Sequence, residues 1–206
     1  MYTGDYLFAR SLERMAELDD PRAHQVLAKT IVEVCRGEIE QIKDKYWFEQ
    51  PLRTYLRRIR RKTALLIAAS CQLGALAAGA PESVAKRLYW FGHYVGMSFQ
   101  ITDDILDFTG TEEQLGKPAG SDLLQGNITL PVLYALRDER LKAAITAVSP
   151  ETNADEMAAV ISAIKRTDAI DQSYALSDRY LEKALRLLGE LPANKARTLL
   201  HDLALY

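Results

Sequence analysis

Residues 96–108 read GMSFQITDDILDF, and this stretch decides the fold. At 100° per residue, Gly92, His93, Gly96, Gln100, Asp103, Asp104 and Asp107 fall within an arc of roughly 100° on one helix. The flanks carry Tyr94, Val95, Met97, Phe99, Ile101, Ile105, Leu106 and Phe108, and the opposite face offers only Ser98 and Thr102. A helix apolar over most of its circumference is buried, so the aspartates are expected to face the interior or a cavity. Three like charges at 103, 104 and 107 repel one another near a helix C-terminus, where the macrodipole already disfavours anions. Such a breach of local rules points to function. Hard divalent cations bind carboxylate oxygens, and Mg²⁺ completes its shell with water and phosphate oxygens. The plainer alternative is an exposed acidic helix end paired with nearby Lys or Arg.

Phosphate partners would be basic, and two candidates flank the stripe. Lys62 lies in RRIRRKTALL (57–66), where a basic face gives way to an apolar one and Thr63 adds a hydroxyl. Arg53, Arg57, Arg60 and Arg61 read as a solvated cationic face, and with Tyr55 as the one stacking aromatic the run makes a weak nucleic-acid patch. Lys117 lies in GKPAGSDLLQGNITLP (116–131), a glycine-punctuated loop whose backbone can approach a ligand closely.

Outward from these motifs the pattern stays helical. Pro21 opens a helix predicted to run to about Trp47, Pro51 one that reaches Gly79, and Pro81 a third ending near Gly110. Residues 111–127 read as a long loop, and residues 129–206 as four shorter helices broken near Ser149-Pro150, Thr167-Asp168 and Leu191-Pro192. No repeat or domain boundary interrupts residues 1–206, which read as a single helical domain. The chain has 206 residues, 48% of them hydrophobic, with 26 basic and 28 acidic side chains. That composition excludes a disordered tail, a collagen-like repeat and a protein built around a basic nucleic-acid face. The longest apolar run, 63–80, is interrupted by Ser70 and Gln72 and reads as a core helix, not a membrane span. Two cysteines, Cys35 and Cys71, are expected to be reduced and buried, and no targeting signal precedes Arg10, which fits a cytoplasmic protein.

GDYLFARS (4–11), VCRGEIEQ (34–41), RRKT (60–63), GMSFQITDDILDF and GKPAGSDLLQGNITLP, in that order, resemble the trans-type isoprenyl (polyprenyl) diphosphate synthases. The resemblance implies an all-α isoprenoid synthase helical bundle. It further implies condensation of an allylic diphosphate, farnesyl diphosphate by the long-chain wording, with isopentenyl diphosphate to a polyprenyl diphosphate for quinone side chains. By the same resemblance Asp103, Asp104 and Asp107 are Mg²⁺ ligands, with Asp103 and Asp107 foremost. Lys62 and Lys117 contact the allylic diphosphate, and Thr63 and Gln100 line the site beside the developing carbocation. Partners implied are a second copy or a small synthase subunit, with the product delivered to the membrane.

The departures from the family pattern are as informative. The family's first DDxxD motif, the Arg pair after it and its Gly-Gly-Lys-Arg segment belong upstream of Gly4 and do not occur here. Helical periodicity is already running at Leu7, Phe8, Leu12 and Met15, so the chain reads as the carboxy-terminal portion of a longer parent with amino-terminal helices missing, inactive alone. Asn127 replaces a frequent Lys, and Gln41 stands where short-chain relatives have Asp. A non-catalytic subunit that binds a complete synthase is the alternative. A terpene cyclase fits less well, because such enzymes carry an Asn/Ser/Glu motif at the position of this DDxxD.

Overall fold

The computed structural model describes residues 2–206 except 112, 114, 115 and 117, and among them every regular element is helical. In chain order these are α1 (Tyr2–Ala16), α2 (Pro21–Lys43), α3 (Leu52–Ile59), a π-turn (Arg60–Ala64), α4 (Leu65–Ala77) and α5 (Glu82–Thr109). There follow α6 (Ser121–Leu124), α7 (Leu130–Ala135), α8 (Glu139–Thr146), α9 (Ala154–Lys165), α10 (Ala169–Gly189) and α11 (Lys195–Leu205). The all-α reading holds.

Local chemistry sets the starts. Asp20 caps α2 by accepting from the Arg22 N–H at 2.9 Å, with Pro21 pre-set in the first turn. Asn153 and Glu156 form a reciprocal capping box on α9, and Asn194 caps α11 through the Arg197 N–H at 2.9 Å. Two boundaries differ from expectation. The helix opened by Pro21 stops at Lys43 because Tyr46 turns left-handed, φ 56°, and its N–H leaves for the Gly126 carbonyl at 2.9 Å. Five helices, not four, fill residues 129–206, since Asp138 caps a new helix by accepting from the Arg140 N–H at 3.0 Å.

The 28-residue α5 is the axis, with α4 and α10 its principal neighbours. Gly92 and Gly96 let α4 close on it: a Cβ at Gly92 would lie 2.7 Å from the Ile67 carbonyl oxygen, and one at Gly96 2.6 Å from the Ala64 Cα. The opposite side meets α10 through the pair of hydroxyls that interrupted its apolar pattern, Ser98 Oγ lying 2.8 Å and Thr102 Oγ1 3.1 Å from Ser177 Oγ. Between these contacts, Ile101, Ile105 and Phe108 are fully enclosed with Leu123, Ile128, Leu130, Val132 and Ile164. Each such side chain contributes about 1.5–3 kcal/mol through burial. Both cysteines are free, but the expectation of burial fails: Cys35 is exposed because α2 buries only Ala23, Thr30 and Gly37, and Cys71 is part-buried against α5. Among the described residues, no helix is long and apolar enough to cross a membrane.

Candidate functional site

The C-terminal half of α5 sits beside a cleft of about 180 Å³ that Lys62, Gln100, Asp103, Asp104, Asp122 and Thr129 help to line, with Gln41, Arg58, Ile59 and Asn127. Gln100 is the hub. Its Nε2 donates to Asp104 Oδ1 at 2.9 Å and to Asp103 Oδ2 at 3.1 Å, so its Oε1 must face the other way and accepts from Thr63 Oγ1 at 2.5 Å. The i, i+3 and i, i+4 spacing of 100, 103 and 104 makes the first two bonds a local property of the helix. Thr63 arrives from the π-turn.

The three aspartates part company. Asp103 is exposed at the cleft. Asp104 is 5% exposed, and Tyr55 donates its phenolic hydrogen to Asp104 Oδ2 at 2.8 Å. Burial pushes the Asp104 carboxyl up to about 7, against the Tyr55 and Gln100 hydrogen bonds, and the charges of Asp122 and Asp103 push it further. Asp107 is 1% exposed and turns to the 120–122 segment, accepting from Ser121 Oγ at 3.1 Å and from the Asp122 N–H at 3.2 Å. Asp107 thus fixes the segment that carries Asp122 to the cleft. Lys117, the second lysine singled out from the sequence, lies outside the described residues.

The loop itself is held by backbone contacts. Gly120 takes φ +73° and donates its N–H to the Asp107 carbonyl at 2.7 Å, while Gly126 takes φ +82° against the ring of Tyr46, whose hydroxyl donates to the Leu124 carbonyl at 2.6 Å. Arg58, inside the run RRIRRKTALL, carries no sequence mark that separates it from its neighbouring arginines. It is 5% exposed, its guanidinium donates to Gln50 Oε1 at 3.0 Å and to the Ile128 carbonyl, and burial lowers its pKa. Thr129 Oγ1 and Asn127 Oδ1 are buried with no hydrogen-bond partner among the described residues, and both residues line the cleft. Asp122, Tyr55 and Arg58 were missed as site residues because each reaches the cleft through a contact distant in sequence. For Asp122 a signal existed, since its carboxylate stands in the quoted run GKPAGSDLLQGNITLP (116–131).

The donor set suits a hard cation. The charges of Asp122 and Asp103 add to the cost of ionising Asp104, which a divalent ion would relieve. Among the described residues no three His, Cys, Asp or Glu side chains converge closely enough to form a complete cage. An ion here would draw the rest of its shell from water and ligand oxygens, which is the habit of Mg²⁺.

Comparison with known proteins gives one consistent result. A family profile described as polyprenyl synthetase matches residues 1–164. Heptaprenyl diphosphate synthase component 2 of Geobacillus stearothermophilus is 88% identical over 206 residues, covering 100% of this chain and 64% of the relative. The protein of the same description from Bacillus subtilis (strain 168) is 62% identical, covering 100% of this chain and 59% of that one. Among solved structures, heptaprenyl diphosphate synthase from Staphylococcus aureus superposes with a TM-score of 0.94 at 45% identity, over 98% of this chain and 64% of that chain. Polyprenyl synthase from Caulobacter crescentus CB15, crystallised with calcium and isoprenyl diphosphate, superposes with a TM-score of 0.88 at 34% identity, over 98% of this chain and 62% of that one. The chain therefore spans less than two thirds of the length of these relatives.

Proposed function

Because this chain belongs to the polyprenyl synthetase family, we propose that its cleft binds the diphosphate of an allylic substrate during prenyl transfer, the whole protein joining farnesyl and isopentenyl diphosphates into a long-chain product. One observation carries the reading: Gln100 ties Thr63, on the π-turn that bears Lys62, to Asp103 and Asp104, so cation-seeking and anion-seeking groups share one cleft. In such a transfer the allylic C–O bond breaks and its electron pair leaves on the diphosphate. The isopentenyl double bond supplies the pair for the new C–C bond, and loss of a proton to the released diphosphate restores an alkene.

The barrier is charge separation, so groups aimed at the charge that develops accelerate the step most. Lys62 places a positive charge where the leaving diphosphate gains negative charge. Gln100, its carboxamide locked by three hydrogen bonds, and Thr63 offer fixed dipoles beside the carbocation without reorganising. Asp103 and Asp104 would hold Mg²⁺, with Asp122 facing them and Asp107 fixing the loop behind. Bound there, the ion supplies Lewis-acid stabilisation of the diphosphate. One helical turn from Lys62 and from Asp103 lie the apolar side chains of Leu66, 47% exposed, and Phe99, 59% exposed, each suited to contact a prenyl chain. The relatives described as component 2 support a second protein component as the working partner.

Calorimetric titration of the chain with inorganic pyrophosphate and Mg²⁺ tests the cleft. Binding is expected to vanish with a chelator and to weaken roughly tenfold or more in Asp103→Asn and Lys62→Ala. Affinity indifferent to the chelator and to both substitutions would sink the assignment. In the complete enzyme with its partner component, the same substitutions should lower isopentenyl incorporation by orders of magnitude.

A further inference from the structure

Arg61 reads from sequence as part of a solvated cationic face with Arg53, Arg57 and Arg60, yet its side chain is only 16% exposed and it does not line the cleft. Its Nε donates to Glu33 Oε2 at 2.9 Å and its Nη1 donates to Glu40 Oε1, both on α2. Between these glutamates, on the same face of α2, lies buried Gly37, where a Cβ would sit 2.7 Å from the Arg61 Cβ. The α2 backbone therefore lies directly against Arg61, with a carboxylate on either side. Arg36 bonds the outer side of Glu33 at 2.8 Å, and Arg57 approaches Glu40 at 3.6 Å. The pairs make a network, which holds geometry better than isolated surface pairs do.

Arg61 is also the second residue of the π-turn. The turn is marked by the Leu65 N–H reaching back five residues to the Arg60 carbonyl. Such turns are rare, are mostly single, and frequently sit at functional sites. Nothing local favours one here: Arg60 to Ala64 contains no glycine or proline, and the flanking segments are regular α-helix. The cause must be tertiary, and the turn is tied on two sides. Arg58, just before it, is anchored to Gln50 and the Ile128 carbonyl, and Arg61, within it, to Glu33 and Glu40. Directly after the second tie Lys62 lines the cleft, Thr63 meets the cleft-lining Gln100, and Ala64 is set against Gly96.

We propose that Arg61, held by Glu33 and Glu40 across Gly37, is a positioning residue that imposes the π-turn and so aims Lys62 and Thr63 into the cleft. Its charge is neutralised by the two carboxylates, and hydrogen bonding to Glu40 raises its pKa. It does not serve as a phosphate ligand. The consequence for ligand binding rests on the diphosphate reading above, whereas the consequence for the turn does not.

The test separates the two. Amide hydrogen exchange is followed at residues 60–65 in wild type, Arg61→Gln, Arg61→Lys and the milder Glu40→Gln, alongside thermal unfolding and Mg²⁺-pyrophosphate titration with Lys62→Ala as reference. Arg61→Gln is expected to speed exchange at 60–65 roughly tenfold while the α5 amides keep their protection. It should also weaken pyrophosphate roughly tenfold, with Arg61→Lys recovering part of both effects. Should Arg61→Gln not fold, Glu40→Gln, which keeps the Glu33 bond, is expected to show the same local pattern at smaller amplitude. Unchanged exchange at 60–65 in the folded variants, or acceleration spread evenly over the whole chain, overturns the proposal. If wild type and all variants ignore pyrophosphate, the diphosphate reading falls and the exchange result alone decides the clamp.

Discussion

At the scale of the residue, Asp104 shows how the site balances burial against polarity. Its carboxylate is nearly sealed from water, yet Tyr55 and Gln100 leave neither oxygen without a donor. Half of that arrangement is legible in sequence, since Gln100 precedes Asp104 by four residues on one helix. The other half is not: Tyr55 is 49 positions away and only tertiary packing pairs them. Removing the phenolic hydroxyl leaves a buried acceptor unpaired, which costs about 1–3 kcal/mol. Tyr55→Phe is therefore expected to lower the urea midpoint by that equivalent with its m-value unchanged, and an unaltered midpoint would show that water replaces the lost donor. Asp122 and Arg58 escaped the sequence reading for the same reason as Tyr55, because each acts through a loop or helix remote in the chain.

At the scale of the element, α5 was the most legible part of the molecule and the π-turn the least. A 28-residue helix repeats its apolar pattern many times, so its faces emerge from spacing alone. One extra residue in a turn shifts the phase of a pattern already blurred by four arginines, and no composition marks it. The helix starting at Glu139 was missed although Asp138 is a sound cap, because Leu136 and Leu141 continue an apolar rhythm across the break. Close packing of α4 on α5 yields a paired prediction. Gly74 lies inside α4 with nothing within 4 Å of an added Cβ, so Gly74→Ala should stabilise by about 0.5–1 kcal/mol. Gly96→Ala meets the Ala64 backbone and should destabilise by about 1–3 kcal/mol, measured by the same denaturant melts. Equal effects of the two would remove the packing argument.

The same helix carries a pH-dependent element. His93 is 8% exposed, packed edge-on against Trp90 with ring centroids 5.3 Å apart, and its Nδ1 has no hydrogen-bond partner among the described residues. Burial, aided by the charge of Arg60, lowers its pKa to about 4. The unfolded chain takes up this proton near pH 6.5, whereas the folded protein refuses it until about pH 4. Between those values the unfolded state binds more protons, so wild type loses stability as pH falls through the window. His93→Leu should lack that component, and the difference between the two in unfolding free energy should grow from pH 7 to pH 4. A constant difference would mean that His93 is solvated when folded.

At the scale of the whole molecule, stability is distributed unevenly. The enclosed residues gather around α5, between α4, α7 and α10, whereas α1 buries none of its side chains and leaves Tyr6, Leu7 and Phe8 exposed. Its pattern of Leu7, Phe8, Leu12 and Met15 was plain in sequence, but only Met15 packs against a core cluster, alongside Leu18 just beyond the helix. An amphipathic helix with its apolar stripe uncovered gains little from tertiary packing, and a helix of this length is marginal by itself in water. The amides of α1 should therefore exchange orders of magnitude faster than those of α5 when the chain is dilute and monomeric. A variant beginning at Asp19 should unfold at nearly the same denaturant concentration as the full chain, within about 1 kcal/mol, because the deleted residues that reach the core, Met15 and Leu18, are themselves only part-buried at the edge of a cluster. Loss of cooperativity on that truncation would show that α1 supports the bundle through contacts of its polar face. Protection of α1 that rises with protein concentration would show instead that another copy covers the apolar stripe, as the exposure of Tyr6, Leu7 and Phe8 leads one to expect.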